Sequence, residues 1–281
     1  MGNILDGRKL AKIIFDGIRK DSDALKSKKI NPTIAIIRVG NKKDDIAYER
    51  GILKNCEKAG INSKVIELPE NIATEEFIKE LYLLNKDSEI HGILIFRPLP
   101  KHLDENRIKH IISPLKDIDC MNPLNIAKIF EDDYSGFSPC TPAAVMEIIK
   151  DYKIDLVGKK TVVIGRSIVV GKPLSIMLLK ENATVTICHS KTADLQTISS
   201  EADILIAAIG KARFVTEEYI KPGGIVIDVG INVDENGKLC GDVDFESILK
   251  KASLITPVPG GVGSVTTAIL LRNAIIAAEP K

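Results

Sequence analysis

The stretch TVVIGRSIVVGKP, residues 161–173, decides the fold. Its first four residues, Thr161 to Ile164, are typical of a parallel strand that is buried on both faces. Gly165 allows a tight turn after this strand, Gly171 allows close backbone approach, and Pro173 suits the first turn of a helix. A strand, a glycine turn and a helix N-terminus predict an anion-binding corner, because free N–H groups and the helix dipole point at one place. The spacing is not GxGxxG, so spacing alone leaves nucleotide binding open.

Composition and charge narrow the class of protein. The 281 residues suffice for one large or two ordinary domains, and 44% hydrophobic and 27% charged residues fit a soluble globular protein. Lys+Arg 39 against Asp+Glu 38 gives a net charge of +1, which argues against a nucleic-acid or acidic-membrane partner. No apolar run reaches the roughly 18 residues of a membrane span, and the charged N-terminus lacks a signal-peptide core. These features predict a cytoplasmic enzyme or binding protein.

The cysteines and histidines show no metal-ligand or disulfide pattern. The five cysteines are scattered and form no CxxC motif, so we expect reduced, buried thiols; they are Cys56, Cys120, Cys140, Cys188 and Cys240. The four histidines have no metal-ligand spacing either; they are His91, His102, His110 and His189. The sequence predicts neither a disulfide nor a metal site.

Strands and helices alternate in two blocks that meet near residues 137–142, which predicts an α/β fold with parallel sheets. In the first block we expect helices near 43–59, 74–87 and 105–112, and strands at 33–40, 65–69 and 92–98. In the second block, a doubly wound, Rossmann-type sheet, we expect strands at 161–165, 183–189, 203–210, 224–230 and 253–258. An apolar helix at 266–278 is expected to pack back on the first domain.

Ordered strings along the whole chain resemble methylenetetrahydrofolate dehydrogenase/methenyltetrahydrofolate cyclohydrolase. They are PLPKHLD, SPLKDID, FSPCTP, GRSIVVGKP, ATVTICHSKT, VIDVGIN, GDVDF and ITPVPGGVG. The resemblance implies a folate-binding catalytic domain at 1–139, joined by a C-terminal helix at 266–281, and an NADP-binding domain at 140–265. It also implies a cytoplasmic homodimer in which folate and dinucleotide meet in the cleft between the domains. The family oxidises methylenetetrahydrofolate with NADP and then hydrolyses the methenyl product to formyltetrahydrofolate.

The end of the second strand of the Rossmann-type block favours NADP over NAD. An acidic residue there would bond the ribose hydroxyls and repel a phosphate, but this strand ends at Cys188 without one. Arg166 and Ser190 can both donate to a phosphate, and charge-assisted bonds contribute roughly 1.5–3 kcal/mol each. The alternative is that Arg166 is a solvated turn residue and Ser190 a helix cap. The resemblance implies NADP contacts at Gly165, Arg166, Ser167, Ser190 and Ile231.

The folate side departs from the family pattern at three positions near the catalytic tyrosine. The family's catalytic helix carries a tyrosine and a lysine four residues later, and here these positions are Tyr48 and Ile52. The family's glutamine in the following strand is Phe96, and its leucine is Arg97. Tyr48, Ile52, Cys56 and Ala59 fall on one helical face, whereas Lys54 lies about 120° around the helix from Tyr48.

These replacements affect the two reactions differently. Hydride loss from the methylene carbon needs the nicotinamide to be held close and aligned, but it needs no side-chain base. Hydrolysis of the methenyl cation, in contrast, needs a general acid/base. We therefore predict that the dehydrogenase is retained and the cyclohydrolase is lost or crippled. The alternatives are a fully bifunctional enzyme rescued by Lys54, Arg97 or Asp45, and a non-catalytic folate or nucleotide sensor.

The resemblance also implies the remaining folate contacts. Asp119 matches the family's pterin-anchoring aspartate, and a carboxylate offers paired acceptors to a flat N–C–NH₂ donor edge. The Gly-Phe that follows it in the family is Cys120-Met121 here, which puts the local backbone in question. Further folate contacts are expected in the glycine-rich loop 257–263, and they are Pro259, Gly260 and Gly263.

Overall fold

The structure, a computed structural model, describes residues 2–133 and 135–280. Its strands are β1 Asn3–Ile4, β2 Thr33–Val39, β3 Asn62–Leu68, β4 Gly92–Ile95, β5 Lys160–Ile164, β6 Thr184–Cys188, β7 Ile204–Ala207, β8 Ile225–Asp228, β9 Asn232–Val233, β10 Leu239–Cys240 and β11 Leu254–Ile255. Its helices are α1 Gly7–Ser27, α2 Lys43–Ala59, α3 Thr74–Lys86, α4 Glu105–Ile111, α5 Pro123–Phe130, α6 Cys140–Asp151, α7 Gly171–Lys180, α8 Leu195–Ser200, α9 Phe245–Leu249 and α10 Val262–Ala278.

The chain forms two compact units. The three-stranded unit comprises Ile13–Cys140 and Thr267–Lys281, and the six-stranded unit comprises Met1–Lys12 and Thr141–Thr266. The first twelve residues therefore fall in the same unit as the Rossmann-type sheet, whereas the sequence assigned them to the folate-binding domain. The predicted outer limits at residues 1 and 281 lie outside the described residues.

In the three-stranded unit, β2 lies between β3 and β4, and all three strands are parallel. β2 is buried from Ile34 to Val39, as expected for a central strand covered on both faces. Phe77 and Leu81 of α3 are fully buried in the core that this strand shares with β4. The predicted parallel arrangement of the first block is confirmed.

The six strands of the large sheet are all parallel, and their order is β6-β5-β7-β8-β11-β1, while β9 and β10 of the same unit pair antiparallel in a separate ribbon. The five strands other than β1 have the doubly wound order 2-1-3-4-5, in which the direction of winding reverses between β5 and β7. Ligands of such sheets bind at the carboxyl ends of the strands that flank this reversal. The sheet confirms the predicted Rossmann-type fold and places Gly165 at the reversal.

Several elements differ from the sequence prediction, including β4, α10 and β1. The strand expected at 92–98 ends at Ile95, and Pro98, which lies just beyond it, cannot donate to a ladder. The helix expected to begin at 266 already begins at Val262. The edge strand β1 was not predicted, since its two residues are too few to show a period.

A buried carboxylate fixes the loops at the carboxyl end of the six-stranded sheet. Asp242 is fully buried, and each of its oxygens accepts two hydrogen bonds. The donors are Ile209 N at 2.6 Å, Gly210 N at 3.0 Å, Lys211 N at 2.8 Å and Asn232 Nδ2 at 2.9 Å. One side chain therefore holds the loop after β7 and the start of β9 in place.

Asp228, at the end of β8, extends this network. Its carboxylate accepts hydrogen bonds from the backbone N–H groups of Gly230 at 2.9 Å, Asp242 at 3.0 Å and Val243 at 3.0 Å. Its own N–H donates to the Thr256 hydroxyl at 2.7 Å. Together the two aspartates satisfy the buried N–H groups of the loops after β7, β8 and β10, which would otherwise be costly.

Replacing Asp242 by asparagine should destabilise the protein. The amide NH₂ cannot accept hydrogen bonds, so two of the four donors lose their partner, at about 1–3 kcal/mol for each buried donor left unpaired. Urea denaturation of Asp242→Asn should show a lower midpoint than the native chain. Asp155→Asn is the control, because the exposed Asp155 accepts one hydrogen bond among the described residues, from the Val157 N–H at 3.1 Å. Equal midpoints for Asp242→Asn and the native chain would contradict this assignment.

Candidate active site

Tyr48, the predicted catalytic tyrosine, lies on α2 against Phe96. The two ring centroids are 5.2 Å apart, with the ring planes tilted by 41°. Although the residue is 47% exposed, burial of its hydroxyl and the negative charge of Asp119 raise the pKa of Tyr48 well above its usual range. The phenol therefore stays protonated at physiological pH, and it can donate a hydrogen bond but cannot serve as a base.

The predicted helical face of α2 is confirmed only in part. Ile52 is 1% exposed, and Cys56 and Ala59 are also buried. Tyr48 does not share this burial, however, and the buried residue beside it is Glu49. The reason is an ion pair that the sequence did not reveal, since the Arg38 Nε from β2 donates to the Glu49 Oε2 at 2.7 Å.

No titratable side chain replaces the missing lysine on this face of α2 within the described residues. Ile52 occupies the position of the family's lysine, and it is buried together with Cys56 and Ala59 on the same face of α2. Lys54 is exposed, as its angle from Tyr48 predicts, and Asp45 is partly buried. Glu49 is already bound to the Arg38 guanidinium. The surroundings of Ile52 on α2 therefore supply no group suited to proton transfer.

Asp119, the predicted pterin anchor, is bound to Arg97. The Arg97 Nη2 donates to the Asp119 Oδ2 at 3.0 Å, and the side chains are 15% and 28% exposed. The second oxygen, Oδ1, accepts from the Cys140 N–H at 3.3 Å. Sequence reasoning considered Arg97 only as a substitute for the missing lysine and missed this pair. The structure brings Arg97 to the carboxylate of Asp119 instead.

The turn that carries Asp119 is held by a second, buried aspartate. Asp117 is 1% exposed and accepts hydrogen bonds from the N–H groups of Met121 and Asn122, both at 2.8 Å. Burial raises the pKa of Asp117, while these backbone donors lower it. Cys120, which replaces the family's glycine, adopts a left-handed conformation with φ 57°. The backbone thus keeps a glycine-like turn, at a cost of roughly 1–2 kcal/mol for the non-glycine residue.

The β5–α7 corner has the close packing that its glycines predict. Gly165 has φ 143°, and a Cβ there would lie 2.3 Å from the Ala208 carbonyl oxygen, just after β7. A Cβ on Gly171 would lie 2.1 Å from the Gly165 carbonyl oxygen. Only glycine fits at either position. The corner therefore packs backbone against backbone at the winding reversal of the sheet.

The predicted cofactor contacts Arg166, Ser167 and Ser190 lie exposed at this edge of the sheet. Ile164 of β5 lies opposite Cys188 of β6 in the sheet. Arg166 comes two residues after Ile164, and Ser190 comes two residues after Cys188. Ser190 does not cap a helix, because the N-cap of α8 is Asp194. The Ser167 hydroxyl accepts from the Val170 N–H at 3.1 Å and so stabilises the turn.

This corner fits a phosphate-bearing cofactor. A dinucleotide site needs a tight turn between strand and helix, and the glycines at 165 and 171 permit the close packing of backbone against backbone that forms this turn. The exposed Arg166 guanidinium and the Ser190 hydroxyl are donors suited to a further phosphate. No acidic residue stands between the end of β6 and Ser190. Arg166 and Ser190 would therefore hold a ribose phosphate.

The glycine-rich loop 257–263 lies in the six-stranded unit. Gly260 has φ 109°, and a Cβ there would lie 2.8 Å from the Arg8 Nε. A Cβ on Gly263, in the first turn of α10, would lie 3.3 Å from the Ile231 side chain, so a predicted folate contact and a predicted cofactor contact are neighbours. Ile231 is 65% exposed. The predicted contact Pro259 follows a cis peptide bond.

Residues 2–133 and 135–280 contain neither a metal-binding cluster nor a helix that could span a membrane. All five cysteines are buried and unpaired. No cluster of histidine, cysteine or acidic side chains in this part of the chain could hold a metal ion. No helix there has both the length and the apolar character that a membrane crossing requires.

Two protein-family models match the chain, one in each part. The catalytic domain of tetrahydrofolate dehydrogenase/cyclohydrolase matches residues 5–119, and the NAD(P)-binding domain of the same family matches residues 139–281. Together they extend over most of the sequence, in the order in which the strings of the resemblance occur.

Curated relatives match over the full length. The bifunctional protein FolD of Clostridium botulinum (strain Langeland) is 59% identical over 279 residues, which cover 99% of this chain and 99% of that protein. The protein of the same name from Clostridioides difficile (strain 630) is 55% identical over 278 residues, covering 99% of this chain and 97% of the relative.

Solved structures agree in fold and in sequence. The FolD methylenetetrahydrofolate dehydrogenase/cyclohydrolase of Campylobacter jejuni is 44% identical, with a TM-score of 0.97 and 99% of each chain covered. The Trypanosoma brucei methylenetetrahydrofolate dehydrogenase-cyclohydrolase, crystallised with NADP and an inhibitor, is 36% identical, with a TM-score of 0.94 and coverage of 99% and 97%. The chain therefore belongs to the tetrahydrofolate dehydrogenase/cyclohydrolase family.

Proposed function

We propose that this chain oxidises methylenetetrahydrofolate to methenyltetrahydrofolate with NADP⁺ and does not hydrolyse the product. Membership of the family makes it an enzyme of folate one-carbon metabolism. The observation that carries the narrower proposal is the pair of apolar residues beside Tyr48. Ile52 is 1% exposed and Phe96 is 8% exposed, where the family keeps a lysine and a glutamine.

The oxidation asks little of side chains near the reacting carbon. The adjacent nitrogen lone pair stabilises the cation that develops as hydride leaves, so no protein base takes part. When bound, the dinucleotide accepts the hydride at its nicotinamide ring. The protein must bind and align the two partners, and alignment alone can supply several kcal/mol of the barrier reduction. Asp119 would hold the pterin, and Tyr48 would contact the folate with its ring and its protonated hydroxyl.

Hydrolysis of the methenyl cation has a further requirement. Water must add to the carbon and lose a proton, and the leaving nitrogen must gain one, so a general acid/base typically contributes roughly 10²–10⁴ in rate. Ile52 cannot titrate, Phe96 cannot hydrogen-bond, and the phenol of Tyr48 does not ionise at physiological pH. Arg97, the candidate for rescue, is bound to Asp119. These features support the loss of cyclohydrolase activity.

The alternative is a fully bifunctional enzyme, and one observation favours it. Relatives that are 55–59% identical carry the name bifunctional protein FolD. Such an enzyme would need Lys54 or Asp45 to move toward the substrate, because neither is buried against Ile52 in the structure. A separate enzyme that hydrolyses methenyltetrahydrofolate is required only if the bifunctional alternative fails.

NADP is the proposed cofactor, and the β5–β6 edge of the sheet supports this choice. Arg166 and Ser190 lie two residues beyond paired positions of neighbouring strands and are exposed. The family's NAD(P)-binding domain and the NADP found in the Trypanosoma brucei relative agree with this proposal. The homodimer and the cytoplasmic location implied by the resemblance stay predictions.

We expect NADPH to form when methylenetetrahydrofolate and NADP⁺ are added, and methenyltetrahydrofolate to accumulate. The absorbance of methenyltetrahydrofolate should decay no faster with the enzyme than in buffer alone. The double variant Ile52→Lys, Phe96→Gln should accelerate the decay, because it restores a titratable group beside a hydrogen-bonding one. Ile52→Leu is the matched control and should leave the decay unchanged.

Decay that depends on the native enzyme, at a rate comparable to its oxidation rate, would contradict the loss of cyclohydrolase. A native enzyme that forms no NADPH would instead favour the non-catalytic sensor and reject the dehydrogenase itself.

We expect Arg166→Ala to weaken NADP⁺ binding selectively. Losing one charge-assisted bond of about 1.5–3 kcal/mol should raise the KM for NADP⁺ roughly 10- to 100-fold and leave the KM for NAD⁺ within about threefold. Steady-state kinetics with both cofactors would measure this. Lys160→Ala is the control, because Lys160 lies at the opposite end of β5 and pairs with Glu201 at 3.2 Å. Equal changes in the KM for NADP⁺ and the KM for NAD⁺ would show that Arg166 does not bind the ribose phosphate that distinguishes the two cofactors.

A further inference from the structure

We propose that Arg97 determines which pteridine the folate site accepts, by donating to the 4-oxo group of the pterin while it holds Asp119. This inference rests on the proposed function, in which Asp119 binds the pterin. Arg97 is a departure from the family, whose pattern has a leucine there. Its role is therefore specific to chains that carry this arginine.

The ion pair leaves Asp119 able to bind a ligand. Its Oδ2 accepts from the Arg97 Nη2 at 3.0 Å, and its Oδ1 accepts from the Cys140 N–H at 3.3 Å. A carboxylate has about four acceptor positions, so each oxygen can accept one more hydrogen bond. The Asp119 side chain is 28% exposed, and a planar pair of ligand donors can therefore reach both of its oxygens.

The ion pair also leaves Arg97 able to bind a ligand. A guanidinium has five N–H donors in a rigid plane, and among the described residues Asp119 is the partner that the Arg97 side chain contacts. The Arg97 side chain is 15% exposed, so part of it reaches the surface beside Asp119. Asp117 holds the turn around Asp119 and forms a bridge with Ile93 of β4, the strand that precedes Arg97, so the backbones of the two partners keep their relative positions.

The edge of a reduced folate matches this arrangement of acceptors and donors. Along that edge the 2-amino group and N3–H are donors, and the next group, the 4-oxo oxygen, is an acceptor. When the two donors meet the carboxylate of Asp119, the carbonyl oxygen faces the neighbour of Asp119. Arg97 is the neighbour on the Oδ2 side, and it has only donors to offer.

The same geometry opposes a 4-amino pteridine. A 4-amino group is itself a donor, so it would face the guanidinium without an acceptor between them. A leucine at this position would neither donate a hydrogen bond to the 4-oxo group nor repel the 4-amino group. Arg97 should therefore favour 4-oxo over 4-amino ligands by roughly tenfold or more, the effect of one charge-assisted hydrogen bond.

The experiment compares folic acid with 4-aminofolic acid, which has an amine in place of the 4-oxo group and lacks the N3 proton. The effect of Arg97 is therefore read from how each variant changes the ratio of the two dissociation constants. Calorimetry would give both dissociation constants for the native enzyme, Arg97→Leu and Arg97→Lys, and kinetics would give KM and kcat for methylenetetrahydrofolate. We expect Arg97→Leu to weaken folic acid roughly tenfold or more, to leave 4-aminofolic acid unchanged or tighter, and to raise KM with little change in kcat. Arg97→Lys, which keeps one cationic donor, should lose less of the preference and serves if the leucine variant does not fold.

Arg107→Leu is the matched control, because Arg107 forms an exposed ion pair with Glu75 at 2.6 Å elsewhere in the same unit. It should leave every constant unchanged. Equal weakening of both ligands by Arg97→Leu would show that Arg97 only orients Asp119, and a lower KM would show that it only blocks Asp119. Either result overturns the proposal while the native enzyme still oxidises methylenetetrahydrofolate, whereas an inactive native enzyme would refute the proposed function.

Discussion

Buried carboxylates that accept backbone N–H groups hold the loops on which both candidate sites depend. Asp242 accepts four hydrogen bonds at the carboxyl end of the six-stranded sheet, and Asp117 fixes the turn that carries Asp119. Loops cannot pair their own N–H groups as strands do, so a buried acceptor must replace the missing partner. A carboxylate does this best, because it accepts several bonds from one position. The partly exposed Asp119 and the exposed Ile231, which lies between Gly230 and Asn232, therefore project from rigid supports.

In the three-stranded unit, the position of a positive charge near the proposed folate site differs from the family pattern. The family's lysine position is Ile52, which is buried, while the family's leucine position is Arg97, which binds Asp119. A cation beside the reacting carbon would assist proton transfer, whereas a cation beside the pterin anchor can only assist binding. This chain therefore carries a cation at the proposed pterin anchor and none at the family's lysine position.

Local patterns in the sequence were enough for the parallel strands, the glycine corner and the buried Ile52. Each of these depends on residues within a few positions of one another, such as Thr161 to Gly171. The two-residue strand β1 and the Arg97–Asp119 pair could not be found in this way. β1 exists only through its pairing with β11, and Arg97 meets Asp119 because β4 forms a bridge between Ile93 and Asp117. Neither contact can be inferred from the spacing of residues along the sequence.

Tyr48 shows a subtler limit of periodicity. Its spacing from Ile52 indicates a shared face, yet the buried position of the first turns is Glu49, because the Arg38 guanidinium from β2 needs a carboxylate there. Burying either charge alone would be costly, so the pair sets the rotation of α2 about its axis. That rotation leaves Tyr48 half exposed against Phe96, where its ring is accessible to a ligand. The ion pair on the neighbouring position of α2 thus decides which surface of the tyrosine is exposed.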